Sequence, residues 1–432
     1  MSTADESRPV RDEDAFDVAA VAAWLREHAT AFRDDLAGTP QVRQFPGGAS
    51  NLTYLLRFPV VSRGSTDGGS TGSTDGGSTG STDGGSTGST DGGSTGSTDG
   101  GSTGSTDGGS TGSSDGGREL VLRRPPTGSK AKSAHDMRRE FTIQSALAPV
   151  YPYVARMVGL CTDESVIGSE FYVMERLEGT ILRKDLPYEL SADDASALCE
   201  RAWEALVRLH QVDVSAVPEL ASLGRGEGYV ARQVAGWTDR LAHAATDDLG
   251  DWSPVTAWLD AHQPADVGQC LIHNDWRFDN MVLAPDDPLR VRGVLDWEMA
   301  TVGDPLMDLG GALAYWIQPD DDAFFQGFRR QPTTAPGMWT REQVVQWYAQ
   351  RTGLAVGPEQ WRFYEVFGLF RLVVICQQIW YRYFHGQTHN EAYARFGPAV
   401  AYLESRCRSL VSTGSTNGSG STDGAGSAEG AA

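Results

Sequence analysis

Between two short apolar runs the chain reads LIHNDWRFDNMV over residues 271–282, which sets His273, Asp275 and Asn280 in the spacing H-x-D-x-x-x-x-N. A second apolar run leads straight into Asp296 within VRGVLDWEMATVGDP, residues 291–305. Two carboxylates and one amide at the ends of strand-like runs suit phosphoryl transfer. That reaction needs an acceptor hydroxyl held in line and Mg²⁺ to neutralise a triphosphate, an ion that takes hard oxygen ligands. Asp275 is therefore read as the catalytic carboxylate at the hydroxyl, and Asn280 and Asp296 as the metal ligands. His273, flanked by Ile272 and Asn274, is read as loop support through hydrogen bonds rather than as a ligand or proton carrier. Trp276, Trp297 and Trp316 lie around this island and are read as core.

The elements that must hold these residues can be traced along the chain. Asn51 to Val61 and Arg118 to Arg124 are rich in Leu, Val, Tyr and Phe and read as two strands of a hairpin. Glu170 to Arg176 reads as a further strand. Asp17 is placed to cap a helix whose Val18, Val21, Ala22 and Leu25 share a face, and Ser133 to Leu147 reads as another helix. From Ser191, which makes a capping-box start with Asp194, apolar residues Ala195, Leu198, Ala202, Leu206 and Leu209 keep helical spacing. Helix character then runs to Leu410, apart from the island at Cys270 to Trp297. The predicted fold class is α+β, a small β-rich lobe of residues 1–176 and a larger helical lobe of residues 177–411 with a cleft between.

The composition separates this body from two further segments. Of 51 glycines, 21 fall within residues 64–117, where the octapeptide GSTDGGST repeats six times to Thr111 with no apolar side chain. That insert and the similar tail at 412–432 are expected to be disordered. The insert lies at the hairpin tip, where the extra loop length costs about 2 kcal/mol of closure entropy.

Lys and Arg number 36 against 57 Asp and Glu, a net charge of −21, which repels nucleic acid. No apolar leader precedes the body, and the longest apolar stretch, Phe367 to Ile379, is interrupted by Arg371, Gln377 and Gln378, so neither a signal peptide nor a membrane partner is expected. The five cysteines form no CxxC pair and read as reduced, mostly buried thiols of a cytoplasmic protein.

These motifs resemble the aminoglycoside phosphotransferase-like branch of the two-lobed protein-kinase-like fold, and the resemblance covers nearly the whole body. FPGGASNLTY, residues 45–54, is similar to the family's nucleotide loop, which implies that Gly47 and Gly48, with Ser50 and Asn51, cover the phosphates of ATP. Arg123 stands at the strand position usually held by Lys, and Glu140 resembles its helix partner, so the two are implied as a phosphate-contacting pair. FYVMERLEG, residues 171–179, resembles the hinge, implying that main chain at Glu175 to Leu177 meets adenine. Asp308 in GDPLMDLG resembles the aspartate that pins the catalytic loop. Asn274 departs from the Gly usual after His273. VLRRPP, LDWEMATVGDP and FRLVVICQQIWYR look most like kinase domains fused to, or encoded beside, acyl-CoA dehydrogenases.

The resemblance implies an ATP- and Mg²⁺-dependent kinase acting on a hydroxyl of a small-molecule acceptor. Three classes follow: a kinase for a hydroxyacyl-CoA or related metabolite, with a functional link to an acyl-CoA dehydrogenase; an aminoglycoside-type antibiotic kinase; and a nucleotide-binding protein without catalysis, disfavoured because all three island residues are present. Residues 320–408 hold 10 Arg against 8 acidic residues. A positive region in an acidic protein favours an anionic acceptor over a polycationic aminoglycoside. Phe367, Phe370, Val374 and Trp380, beside Arg371 and Arg382, are expected to offer such a ligand an apolar and a cationic wall.

Overall fold

The computed structural model describes residues 7–46, 51–60, 117–126 and 136–413. The expectations for Gly47, Gly48 and Ser50, for the repeat insert up to residue 116 and for the tail beyond Thr413 lie outside the described residues.

The small lobe is one antiparallel sheet of β1 (Gln41–Gln44), β2 (Leu52–Arg57), β3 (Glu119–Arg124), β4 (Met157–Cys161) and β5 (Phe171–Glu175), in the spatial order β1-β2-β3-β5-β4. β2 and β3 pair from Leu52 opposite Arg124 to Arg57 opposite Glu119, and the Phe58 N–H donates to the Arg118 carbonyl at 2.8 Å. This is the hairpin expected from the sequence. Strand alternation sorts the side chains onto two faces. Leu120 and Leu122 pack with Tyr54, Leu56 and Phe58 against α1 (Val18–His28), whose cap Asp17 accepts from the Ala20 N–H at 2.9 Å. Val121 faces the other way, toward Tyr172, Met174 and Met137. Arg123 shares the parity of Val121 and so points to the side that carries α2 (Met137–Leu147). The helix starts at Met137 rather than Ser133, because Asp136 caps it by accepting from the Arg139 N–H at 2.9 Å.

The crossover to the large lobe falls between Glu175 and Ala192. There α3 (Ala192–His210) starts at the expected cap Ser191, and its five spaced apolar residues are all buried. α4 (Pro218–Ala221), α5 (Tyr229–His243) and α6 (Ser253–Ala261) follow. The island then folds as two small antiparallel pairs, β6 (Cys270–Ile272) with β9 (Thr301–Gly303) and β7 (Met281–Leu283) with β8 (Val291–Val294). The rest is helical: α7 (Pro305–Leu313), α8 (Ala323–Gln326), α9 (Arg341–Thr352), α10 (Pro358–Phe384) and α11 (Phe396–Thr413). The last helix runs two residues past the predicted boundary at 411.

α10 is the one helix among the described residues long and apolar enough to cross a membrane by length and composition, and 67% of its most apolar window is buried within the protein. It packs on α7 with backbone in contact: a Cβ on Gly368 would lie 2.2 Å from the Gly310 carbonyl oxygen. This corrects the expected acceptor wall. Phe367, Phe370 and Val374 are buried in the large-lobe core, and the Trp380 indole N–H donates to Asp248 at 3.1 Å. An apolar stripe at helical spacing has been used to pack the lobe. All five cysteines are free and buried, as expected.

Candidate active site

The loop after β6 is held from several sides. Asp308, on α7, accepts the N–H of His273 at 2.8 Å and of Asn274 at 2.7 Å. His210 bonds the same carboxylate at 3.1 Å and meets the Tyr348 hydroxyl at 2.6 Å with its other ring nitrogen. Burial alone would push the Asp308 carboxyl up, but the His210 bond and the neighbouring His273 hold it below the usual carboxylate range. His273 is fully buried. Its Nδ1 accepts the Asp275 N–H at 3.2 Å, so Nε2 carries the hydrogen and donates to the Leu295 carbonyl at 3.0 Å. Both ring nitrogens are spent on backbone, which is the supporting role read from the sequence. Trp276, Trp297 and Trp316 are buried, also as read.

Asn274 now has a physical account. Its φ is 66°, in the left-handed region that Gly or Asn tolerates, and its side-chain N–H donates to the Met299 carbonyl at 3.1 Å. The turn lets Asp275 leave the strand half-buried. There its Oδ2 accepts from Asn280 Nδ2 at 2.8 Å, and the same amide donates to the Asp275 carbonyl at 2.9 Å. With the amide nitrogen committed to Asp275, Asn280 has its amide oxygen left to offer a cation. The Leu295 N–H donates to the Asn280 carbonyl at 2.8 Å, which ties the loop to the segment bearing Asp296. Asp296 is also left-handed, with φ 66° and ψ 59°, and its side chain keeps 35% of its surface open.

Arg123 faces this carboxylate from the small lobe. It pairs with Glu140, lies 3.2 Å from Asp296 and 4.0 Å from Glu298. Burial works against its charge, but Tyr172 and the three carboxylates hold it more firmly protonated than an ordinary arginine. The Tyr172 hydroxyl donates to Glu140 at 2.7 Å and fixes the pair from behind. Sequence reasoning found Arg123 and Glu140 but missed Arg139, which donates to the carbonyls of Glu298, at 2.9 Å, and Ala300. One turn of α2 thus grips both Arg123 and the segment after Asp296. Asn51 is buried and donates to the Glu298 carboxylate at 3.2 Å, so it meets the segment that follows Asp296. Glu298 and Arg277 were also missed, although Arg277 sits inside the island and Glu298 directly after it. Arg277 lies 3.4 Å from Asp275 and 3.0 Å from Asp279.

A cleft of about 960 Å³ runs between the lobes. Val121, Ala155, Met174, Leu177 and Val282 give it apolar walls, and Arg123, Asn280 and Asp296 its polar end. The volume and this lining suit a nucleotide-sized ligand. Glu175 and Leu177 both border it, and the Glu175 carboxylate is spent on Arg118.

A five-stranded antiparallel lobe above a helical one, with Asn280 and Asp296 at the end of the cleft and Asp275 bonded to Asn280 behind them, defines a kinase-like phosphotransferase fold. The chain belongs to the phosphotransferase enzyme family, APH, whose family model matches residues 112–366. A solved structure from Ralstonia eutropha, named for an aminoglycoside phosphotransferase, is 27% identical, with a TM-score of 0.67 over 92% of this chain and 99% of that one. Among curated proteins, mouse acyl-CoA dehydrogenase family member 10 is 35% identical over 274 residues, 63% of this chain and 25% of that protein. Human acyl-CoA dehydrogenase family member 11 is 34% identical over 273 residues, 63% of this chain and 34% of that protein. The chain therefore matches only a quarter to a third of the length of these relatives.

Proposed function

We propose that the chain is an ATP- and Mg²⁺-dependent kinase that phosphorylates a hydroxyl of a small molecule. The observation that carries this reading is the division of labour at Asn280, whose amide nitrogen orients Asp275 while its oxygen, together with the Asp296 oxygen that Arg123 does not engage, remains for a cation. The residues fit Mg²⁺. One amide oxygen and one carboxylate are hard donors, and among the described residues no group of three His, Cys, Asp or Glu could hold a metal unaided. Such a set suits an ion that shares its remaining positions with phosphates and water. When bound, the ion would neutralise charge on the triphosphate. Asp275 orients the acceptor hydroxyl and takes its proton, Arg123 contacts the phosphates, main chain at Glu175 and Leu177 receives adenine, and Gly47, Gly48 and Ser50 cover the nucleotide.

Within this class the acceptor we favour is a hydroxyacyl-CoA or related metabolite, with a functional link to an acyl-CoA dehydrogenase in the cytoplasm. The names of the curated relatives and the surplus of arginine over residues 320–408 support that choice. The name of the Ralstonia structure supports the alternative, an aminoglycoside kinase. Asp275→Asn should lower kcat by roughly 10² to 10⁴ with little change in nucleotide affinity, the range of a positioned general base, whereas Asp296→Ala should abolish Mg²⁺-ATP binding. ADP release measured with hydroxyacyl-CoA thioesters and with kanamycin tests both levels. Turnover of kanamycin alone would reverse the acceptor preference, and undiminished turnover by both variants would end the kinase reading.

A further inference from the structure

The ten arginines between residues 320 and 408 are not equivalent. Arg341 and Arg406 share Asp321, Arg351 pairs with Glu204, Arg362 with Glu359, Arg408 with Glu404 and Arg329 with Asp185. Arg371, in the middle of α10, is 8% exposed, and among the described residues no carboxylate lies within ion-pair distance of it. Its guanidinium lies over the Trp237 ring, 5.4 Å from the centroid, and Nη2 donates to the Asn274 carbonyl at 2.7 Å. Its other two nitrogens make no hydrogen bond within the described residues. Gly311 leaves room beside it, since a Cβ there would stand 2.9 Å from Nη1.

One carbonyl answers a fraction of the five N–H donors of this largely buried guanidinium, and Nε and Nη1, which are not sealed from solvent, are left to meet an anion or a further acceptor. The nearby carboxylates are committed elsewhere. Asp308 is spent on the N–H groups of His273 and Asn274 and on His210, while Asp275 is held by Asn280 and Arg277. Two phenols, Tyr229 and Tyr315, lie within electrostatic reach of Arg371, and Tyr315 also senses Asp275. The cation grips the carbonyl of the residue next to Asp275, and Tyr315 lies within electrostatic reach of both, so the guanidinium stands beside the catalytic loop.

Resting on the phosphotransferase reading above, we propose that Arg371 anchors the acceptor by an acyl oxygen, either a carboxylate or a thioester carbonyl, a few bonds from the hydroxyl that Asp275 serves. The anchor selects hydroxylated acyl compounds. It is charge-assisted and directional, so a neutral diol of the same length gains nothing from it.

The test is calorimetric titration of the full chain, saturated with Mg²⁺ and the non-hydrolysable ATP analogue AMPPNP. The probes are 3- and 4-hydroxybutyrate, their CoA thioesters, 1,3-butanediol and kanamycin. At least one acyl probe should bind the parent. Arg371→Met should weaken that binding about tenfold or more with AMPPNP affinity unchanged, and Arg371→Lys should retain more of it. Preference for the free acid or for the thioester identifies the source of the acyl oxygen. Gly311→Ala, which keeps the arginine and crowds Nη1, provides a second variant if Arg371→Met does not fold, and it too should weaken acyl binding. Failure of every acyl probe to bind, undiminished binding by Arg371→Met or Gly311→Ala, or parallel loss of AMPPNP and probe would overturn the proposal; the last result would make Arg371 a brace for the Asn274 turn. A parent that binds no AMPPNP overturns the phosphotransferase reading and this inference with it.

Discussion

Arg123 and Arg371 are equally buried, each 8% exposed, and both reach toward the island, yet their surroundings are opposite. Arg123 faces Glu140, Asp296 and Glu298. Arg371 has one carbonyl and the face of an indole. On the small-lobe side the charges close on one another. On the other side a cation is buried without its counter-charge. The contrast separates a preorganised ionic network, which costs most when a member is removed, from an isolated charge whose removal costs little.

The largest effect that would break this contrast is on the closed side. Glu140→Ala leaves Arg123 buried without its closest partner and should lower the unfolding free energy by about 3–5 kcal/mol in urea denaturation. Asp308→Asn should cost about 3 kcal/mol at neutral pH, because two backbone donors then face an amide that cannot accept from both. The folded pKa of Asp308 lies below its unfolded value, so the stability it contributes is present above about pH 4 and is lost as pH falls further. The gap between parent and Asp308→Asn in urea titrations should therefore hold from pH 6 to about pH 4 and narrow only below it; a gap that stays constant on further acidification would remove ionisation from the account. On the open side, Arg371→Met should cost no more than about 2 kcal/mol, one charge-assisted hydrogen bond. A loss matching that of Glu140→Ala would erase the difference between the two arginines. The smallest effect is at the turn that Arg371 holds: Asn274→Ala should cost about 1 kcal/mol in thermal or urea unfolding, while Asn274→Gly stays near neutral, because the left-handed backbone penalises a Cβ.

What could be read from the sequence was local. Asp275, Asn280 and Asp296 announced themselves by short spacings between apolar runs, the β2–β3 hairpin by two strand-like runs on either side of the insert, and α3 by the cap at Ser191. Two edge strands escaped notice. Gln41–Gln44 is polar in sequence, and Met157–Cys161 is interrupted by Gly159, whose missing side chain makes room for Trp24. The contacts of Arg139 with Glu298 and Ala300, and of Asn51 with Glu298, join residues over 150 positions apart, and no local pattern encodes them. The arginine count over 320–408 treated ten charges as equivalent. Most of those charges are neutralised by neighbours, and only the fold shows that Arg371 is not.

The β2–β3 hairpin carries a practical consequence. Arg57 and Glu119 stand directly opposite each other, so whatever chain lies between them departs and returns at one point on the lobe. That makes the junction a natural place to open the polypeptide. Two separately expressed fragments, one ending at Val60 and one beginning at Gly117, should find each other through the same strand pairing. A reporter whose own ends lie about 5 Å apart, the spacing of paired strands, could be spliced there with the cleft left undisturbed.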